Sequence, residues 1–170
     1  MELGTVIMTA IILAVIIVPF LMLNRNSNKT KNQVLQVLDS LAKKHNCQLS
    51  QQEFGRSFAI GMDETNHFVF FYKKVKEHEY EQFVDLSKIQ FCKVENISRT
   101  AKINGLENKY VDRLYLSFVP LHNDKPEVRF EFFNSDITMQ LGGELWAINK
   151  WVQLINVHLE GMPRPKRAAG

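Results

Sequence analysis

Ser57-Phe-Ala-Ile-Gly-Met-Asp-Glu-Thr-Asn-His-Phe-Val-Phe-Phe-Tyr-Lys73 decides the fold class, because it reads as two strands folded back around a turn. Phe58, Ile60 and Met62 recur with period two, the spacing that puts side chains on one face of an extended chain. Asp63-Glu-Thr-Asn66 is a run of turn formers whose short polar side chains bond to their own backbone. His67 to Lys73 is apolar at both odd and even positions, the pattern of a strand covered on both faces.

Toward the C-terminus the same logic continues. Glu81 to Leu86 and Ile89 to Ile97 read as further strands, and Gly105-Leu-Glu-Asn108 is turn-like. Asp112 to Leu121 sends Leu114, Leu116 and Phe118 to one side, and His122 to Pro126 turns the chain. Glu127-Val-Arg-Phe-Glu-Phe132 alternates strictly, with Val128, Phe130 and Phe132 inward. Strands joined by short turns favour antiparallel pairing over crossover units. After Gly142-Gly143 the period becomes helical: Leu145, Ile148, Trp151 or Val152, Ile155 and Leu159 form one stripe, which Gly161 and Pro163 end. Before the strands, Val34, Val37 or Leu38, Leu41 and His45 step by three and four, predicting an amphipathic helix. That helix either packs on the core or pairs with a second copy.

Leu3 to Leu23 contains no charged residue. About 20 helical residues cross a hydrocarbon core of roughly 30 Å, so the run is expected to span a bilayer once. A cleaved signal would have a basic start and a shorter core. Arg25, Lys29 and Lys31 follow the run, whereas Glu2 precedes it; the excess of cations puts the larger part on the cytoplasmic side and the N-terminus outside, as in a bacterial inner membrane. The expected organisation is a transmembrane helix (3–23), a linker (24–32), an amphipathic helix (33–46), a β-rich domain (48–160) and a basic tail (161–170). The expected fold class is α+β: one transmembrane helix, then an antiparallel meander or open barrel of about six or seven strands with a C-terminal capping helix.

The formal charge of +3 is unevenly placed. Six basic residues (Arg25, Lys29, Lys31, Arg164, Lys166 and Arg167) flank the body, and residues 32–162 hold 15 basic against 17 acidic groups. Cations beside the bilayer each add on the order of 1 kcal/mol of attraction to anionic lipid. A nucleic-acid binder would instead carry its basic face on the domain. Lys73, Lys74 and Lys76 are offset by Glu77, Glu79 and Glu81, which argues against nucleic acid. Cys47 and Cys92 make no disulfide framework and read as free thiols.

No catalytic, cofactor or metal set emerges. Glu77-His78-Glu79 alternates sides on an extended chain, so at most two of the three converge, fewer than a metal site needs. His45, His67, His122 and His158 show no ligand spacing. Cys92 lies inside a strand, the setting of an inert thiol. Gly142-Gly143 lacks the Lys-Ser/Thr of a phosphate loop. Trp146 falls off the main helical stripe and either flanks the core or stands exposed as an interaction anchor. With Arg164, Lys166 and Arg167 it forms the candidate interaction set, and Arg25, Lys29 and Lys31 the juxtamembrane one.

The order of antiparallel strands followed by a helix bearing Trp151, with the Asp85-Leu-Ser-Lys-Ile89 step into a strand, resembles the pleckstrin-homology-like superfold, bacterial members included, over Gln48 to Leu159. That resemblance implies two near-orthogonal sheets forming an open barrel plugged by the final helix. It also implies binding of phosphoinositides, peptides or proteins rather than catalysis. The lipid-binding members' Lys followed by Arg-x-Arg has no counterpart in Gln51 to Arg56 or Asp63 to Asn66, so a multiply charged head group lacks its donors. The expected function is a membrane-anchored, non-catalytic binding or scaffolding module for a protein partner, with the bilayer as second contact. The alternative is an accessory subunit held in a larger complex through its apolar helix.

Overall fold

The computed structural model describes residues 31–163 except 56, 104, 105, 123 and 139. Helix α1 (residues 31–44) is followed by β1 (Gln51–Phe54), β2 (Phe58–Asp63), β3 (Phe68–Val75) and β4 (His78–Asp85), paired antiparallel in that order. A 3₁₀ turn, Leu86–Lys88, leads into β5 (Ile89–Ile103), β6 (Leu106–Pro120) and β7 (Val128–Asn134), which form a second antiparallel sheet, and α2 (Glu144–Gly161) ends the fold.

Between the sheets lies the larger core. Phe58, Ile60 and Met62 of β2, Val69 and Phe71 of β3, Leu114, Leu116 and Phe118 of β6, and Phe130 and Phe132 of β7 pack there against Ala147, Ile148, Trp151, Ile155 and Leu159 of α2. Phe71 and Phe130 stack at 5.0 Å between ring centres, one ring from each sheet. Lys73 of β3 reaches Glu131 of β7 at 2.9 Å, and the Gln82 amide donates to the Arg129 carbonyl at 3.3 Å, so polar side chains tie the sheets as well.

The double-sided apolar pattern of β3 is explained by α1. Phe70 and Tyr72, on the face opposite Val69 and Phe71, pack with Ala59 against Val34, Leu38, Leu41 and Ala42 of the helix. Of its two possible uses, α1 takes the first: it covers the outer face of the first sheet. Its end is a Schellman motif, in which the Cys47 N–H donates to the Ala42 carbonyl and the Asn46 N–H to the Lys43 carbonyl, each at 3.0 Å. Asn46 takes the left-handed conformation this requires, at φ 56°. Leu49 then crosses the sheet over Gly61, where an added Cβ would lie 3.0 Å from the leucine methyl.

The expected fold class is corrected. What is described is a small α+β protein with two antiparallel sheets and a C-terminal helix, rather than a membrane-spanning helix followed by one open meander. Among the described residues no helix is long and apolar enough to cross a membrane; both described helices are amphipathic, α1 carrying Lys31, Asp39, Lys43 and Lys44 and α2 carrying Glu144, Lys150 and Glu160. The transmembrane, single-pass reading of Leu3 to Leu23 therefore has no counterpart in this structure, since that run, with the 24–30 part of the linker, lies outside the described residues. The meander breaks because Asp85 accepts from the Ser87 N–H at 3.0 Å and turns the chain out of the first sheet before β5 begins.

Two strand boundaries also change. Gln51–Phe54, where the sequence pattern assigns no strand, is the edge strand β1, paired from Gln51↔Met62 to Phe54↔Ala59. Leu106 to Asn108, read as part of a turn, belong to β6: Ile103 pairs with Leu106, so the connection shrinks to two residues. Those two are Asn104-Gly105, the dipeptide that best suits a two-residue hairpin turn.

Candidate interaction surface

α2 has two working faces. Ala147, Ile148, Trp151, Ile155 and Leu159 are buried, as the apolar stripe predicts except at its first position, where Leu145 is 40% exposed and Ala147 faces the core instead. On the opposite side Trp146 is 66% exposed and Val157 69% exposed. Eleven residues bring a helix back to nearly the same azimuth, so these two share one outer line about 17 Å long. Lys150 and Gln153 lie between them, both exposed.

Trp146 is held rather than loose. Lys150 Nζ lies 5.2 Å from its ring centre, within cation–π range. The same ammonium sits 2.7 Å from a Glu53 carboxylate oxygen on β1, which also accepts from Trp151 Nε1 at 3.0 Å. One carboxylate thus links the exposed tryptophan, through Lys150, to the buried one. Of the two positions open to Trp146, the structure gives it the exposed one. A rigid aromatic with its orientation fixed loses little side-chain entropy on contact with a partner. Arg164, Lys166 and Arg167, along with Arg25 and Lys29, lie outside the described residues; Lys31 is exposed at the start of α1.

Beside α2 runs β5, an edge strand of the second sheet, and the helix caps one residue of that edge. Asn156 accepts from the Cys92 N–H and donates to the Cys92 carbonyl, both at 2.9 Å. Its side-chain amide stands where a neighbouring strand would bond, so an added strand is excluded at that residue.

The other sequence candidates separate in space. Cys92 is buried, and burial pushes its thiol up to about 12, so the nucleophilic thiolate is suppressed. Cys47 is buried and likewise raised, by burial first and then by Asp63. Asp63 is buried too; burial pushes its carboxyl up, but donors from Asn66, Gln48 and Thr65 outweigh that and hold it below its usual value, which fixes the β2–β3 turn. Glu77, His78 and Glu79 are exposed at the β3–β4 turn, with Glu79 paired to Lys74. Among the described residues no group of three or more His, Cys, Asp or Glu is placed to hold a metal ion. A depression of about 390 Å³ between α1 and residues 48–52 has Asp39 as its sole charged lining group. Another, of about 290 Å³, contains Arg99–Asp112 and Arg113–Asp136 pairs that neutralise each other.

A histidine pair was not foreseeable from spacing. His67 Nδ1 and His158 Nε2 lie 2.9 Å apart, although 91 residues separate them, so one ring donates to the other. His67 sits in the left-handed region at φ 62°. Burial first, then the charge of His67, lowers the His158 pKa below 6.5, with Glu64 opposing. A lowered histidine pKa means the folded state binds fewer protons than the unfolded one. The stabilisation is complete above about 6.5 and is lost as pH falls through the lower folded value. Melting temperature is therefore expected to fall between pH 7 and about 5 more steeply in the native chain than in His158→Gln, with His67→Asn (a residue that tolerates φ > 0) resembling His158→Gln. Parallel curves for all three would remove this role from the pair.

Searches against family models, curated proteins and solved structures find no match to this chain.

Proposed function

We propose that this chain is a binding or scaffolding module of the pleckstrin-homology-like type, with no catalytic chemistry of its own, which takes a protein partner on the outer face of α2. One observation carries the reading: Trp146 is two-thirds exposed yet oriented by Lys150 and, through it, by Glu53. Tryptophan is among the residue types most enriched at the energetic anchors of protein interfaces. Two sheets followed by a C-terminal helix, with Trp151 in that helix's buried stripe, support the resemblance over residues 48–160. A location at the cytoplasmic face of a membrane is part of the proposal; it rests on the sequence outside the described residues, namely the uncharged run 3–23 and the basic residues Arg25 and Lys29.

The test is capture of partners by the full chain, tagged after Gly170, from detergent-solubilised membranes. Native chain is expected in the membrane fraction, with a companion whose recovery drops about 30-fold in Trp146→Ala, the effect of losing a 2 kcal/mol anchor. Circular dichroism of that variant should match the native chain, because Trp146 lies off the core. A companion retained undiminished by Trp146→Ala would remove α2 as the binding face, and recovery of the chain in the soluble fraction would remove the membrane location.

A further inference from the structure

We infer that the chain pairs with a second copy of itself through the free edge of β6, a surface separate from the outer face of α2. β6 pairs with β7 only from Arg113↔Asn134 to Phe118↔Val128, while its pairing with β5 runs on to Ile103↔Leu106. Among the described residues, 98–103 and 106–111 therefore form a two-stranded arm with no third strand. Irregular register at Ile97/Ser98, opposite Arg113 and Val111, marks where the arm departs from the sheet. A two-stranded ribbon is marginal alone, and its open edges are templates for another strand.

Charge selects the occupant. Glu107, Lys109 and Tyr110 are exposed on this arm. In an antiparallel pair of two identical strands, a two-fold axis must pass through one residue or between two. An axis through residue 108 sets Glu107 of each copy directly opposite Lys109 of the other, giving two opposite-charge cross-strand pairs. An axis through 107 or 109 sets like charges face to face. An axis through 110 sets Lys109 opposite Val111 and Glu107 opposite Arg113, which β7 already engages. Of the axes that pass through a residue of this short free edge, the one through 108 alone sets opposite charges against each other. The intramolecular Glu107–Lys102 contact, at 3.4 Å between side chains 65% and 72% exposed, is loose enough to share.

The experiment is the native mass of the full chain in mild detergent over a range of concentrations, with charge reversals in the arm. Native chain is expected to run as a dimer. Glu107→Lys and Lys109→Glu should each weaken it at least tenfold, since each puts two like pairs across the axis. The double variant Glu107→Lys/Lys109→Glu should restore the dimer, and an equimolar mixture of the two single variants should form a heterodimer. Restoration also shows that the single variants fold. A native chain that stays monomeric, or a dimer indifferent to either reversal, overturns the inference. So does a double variant no better than the singles. None of these outcomes depends on Trp146, so failure here leaves the α2 reading standing.

Discussion

Trp151→Ala is expected to bring the chain toward the margin of stability at ordinary temperature. Trp151 is 1% exposed and belongs to the cluster that joins both sheets to α2. Truncating a buried tryptophan to alanine costs about 3–5 kcal/mol, because the lost transfer energy is compounded by a cavity the surroundings cannot fill. That is a large share of the roughly 5–15 kcal/mol holding an ordinary domain together. The indole also donates to Glu53 on β1, so the substitution removes one tie between the first strand and the last helix and leaves the Lys150–Glu53 pair to hold it. Two milder variants separate these contributions. Trp151→Phe keeps much of the volume and loses the donor, and Glu53→Ala leaves the buried N–H without its acceptor, at about 1–3 kcal/mol. Urea titration followed by circular dichroism measures all three. A Trp151→Ala midpoint close to that of the native chain would mean that α2 is not what closes the core.

Which parts of this fold the sequence discloses follows from where burial is one-sided. Val128, Phe130 and Phe132 alternate because β7 faces the core on one side, and Ile148, Trp151, Ile155 and Leu159 stripe α2 for the same reason. β3 reads correctly as covered on both faces, although the cover, α1, is recognisable only once the helix is seen lying on Phe70 and Tyr72. β1 escapes because Gln51-Gln-Glu-Phe54 is a mostly polar edge with a single apolar residue, Phe54, and its tie to α2 is the Glu53 carboxylate. The far halves of β5 and β6 escape because no core underlies Arg99, Thr100, Lys102 or Lys109, so nothing imposes alternation there. The Asn104-Gly105 dipeptide was the available signal for that hairpin.

The site divides along the same line. Periodicity removes Trp146 from the buried stripe of α2, but whether a neighbouring element covers it is a tertiary fact. So are the Lys150 contact that orients it and the Asn156 amide that occupies the edge of β5. The His67–His158 contact joins a turn to a helix end 91 residues away, and no spacing rule reaches that far. What these features share is that each ties α2 to a strand or turn by a polar side chain, leaving the outer face of the helix as its exposed face. A binding surface on such a helix inherits the rigidity of the core behind it.

The same economy governs the join between the sheets, where removing Glu131 is expected to be far more damaging than removing Lys73. The Lys73 side chain is 5% exposed and its ammonium lies 2.9 Å from Glu131. Glu131→Ala leaves that cation buried without its carboxylate, a change that typically costs about 3–5 kcal/mol. The reverse deletion is gentler. After Lys73→Met, Glu131 is still 27% exposed and still accepts from Tyr115 at 3.3 Å and Asn134 at 3.1 Å, while methionine fills much of the lysine's volume. A loss of about 1 kcal/mol is expected there. The double variant Lys73→Met/Glu131→Gln should lie near Lys73→Met, because glutamine keeps an acceptor oxygen for Tyr115 and Asn134 and no charge is stranded. Lys73→Met/Glu131→Ala, compared with the two single variants, then gives the coupling energy directly. Equal losses for Glu131→Ala and Lys73→Met would show that the ammonium reaches water when its partner is gone, and that Phe71, Phe130 and their neighbours hold the two sheets together unaided.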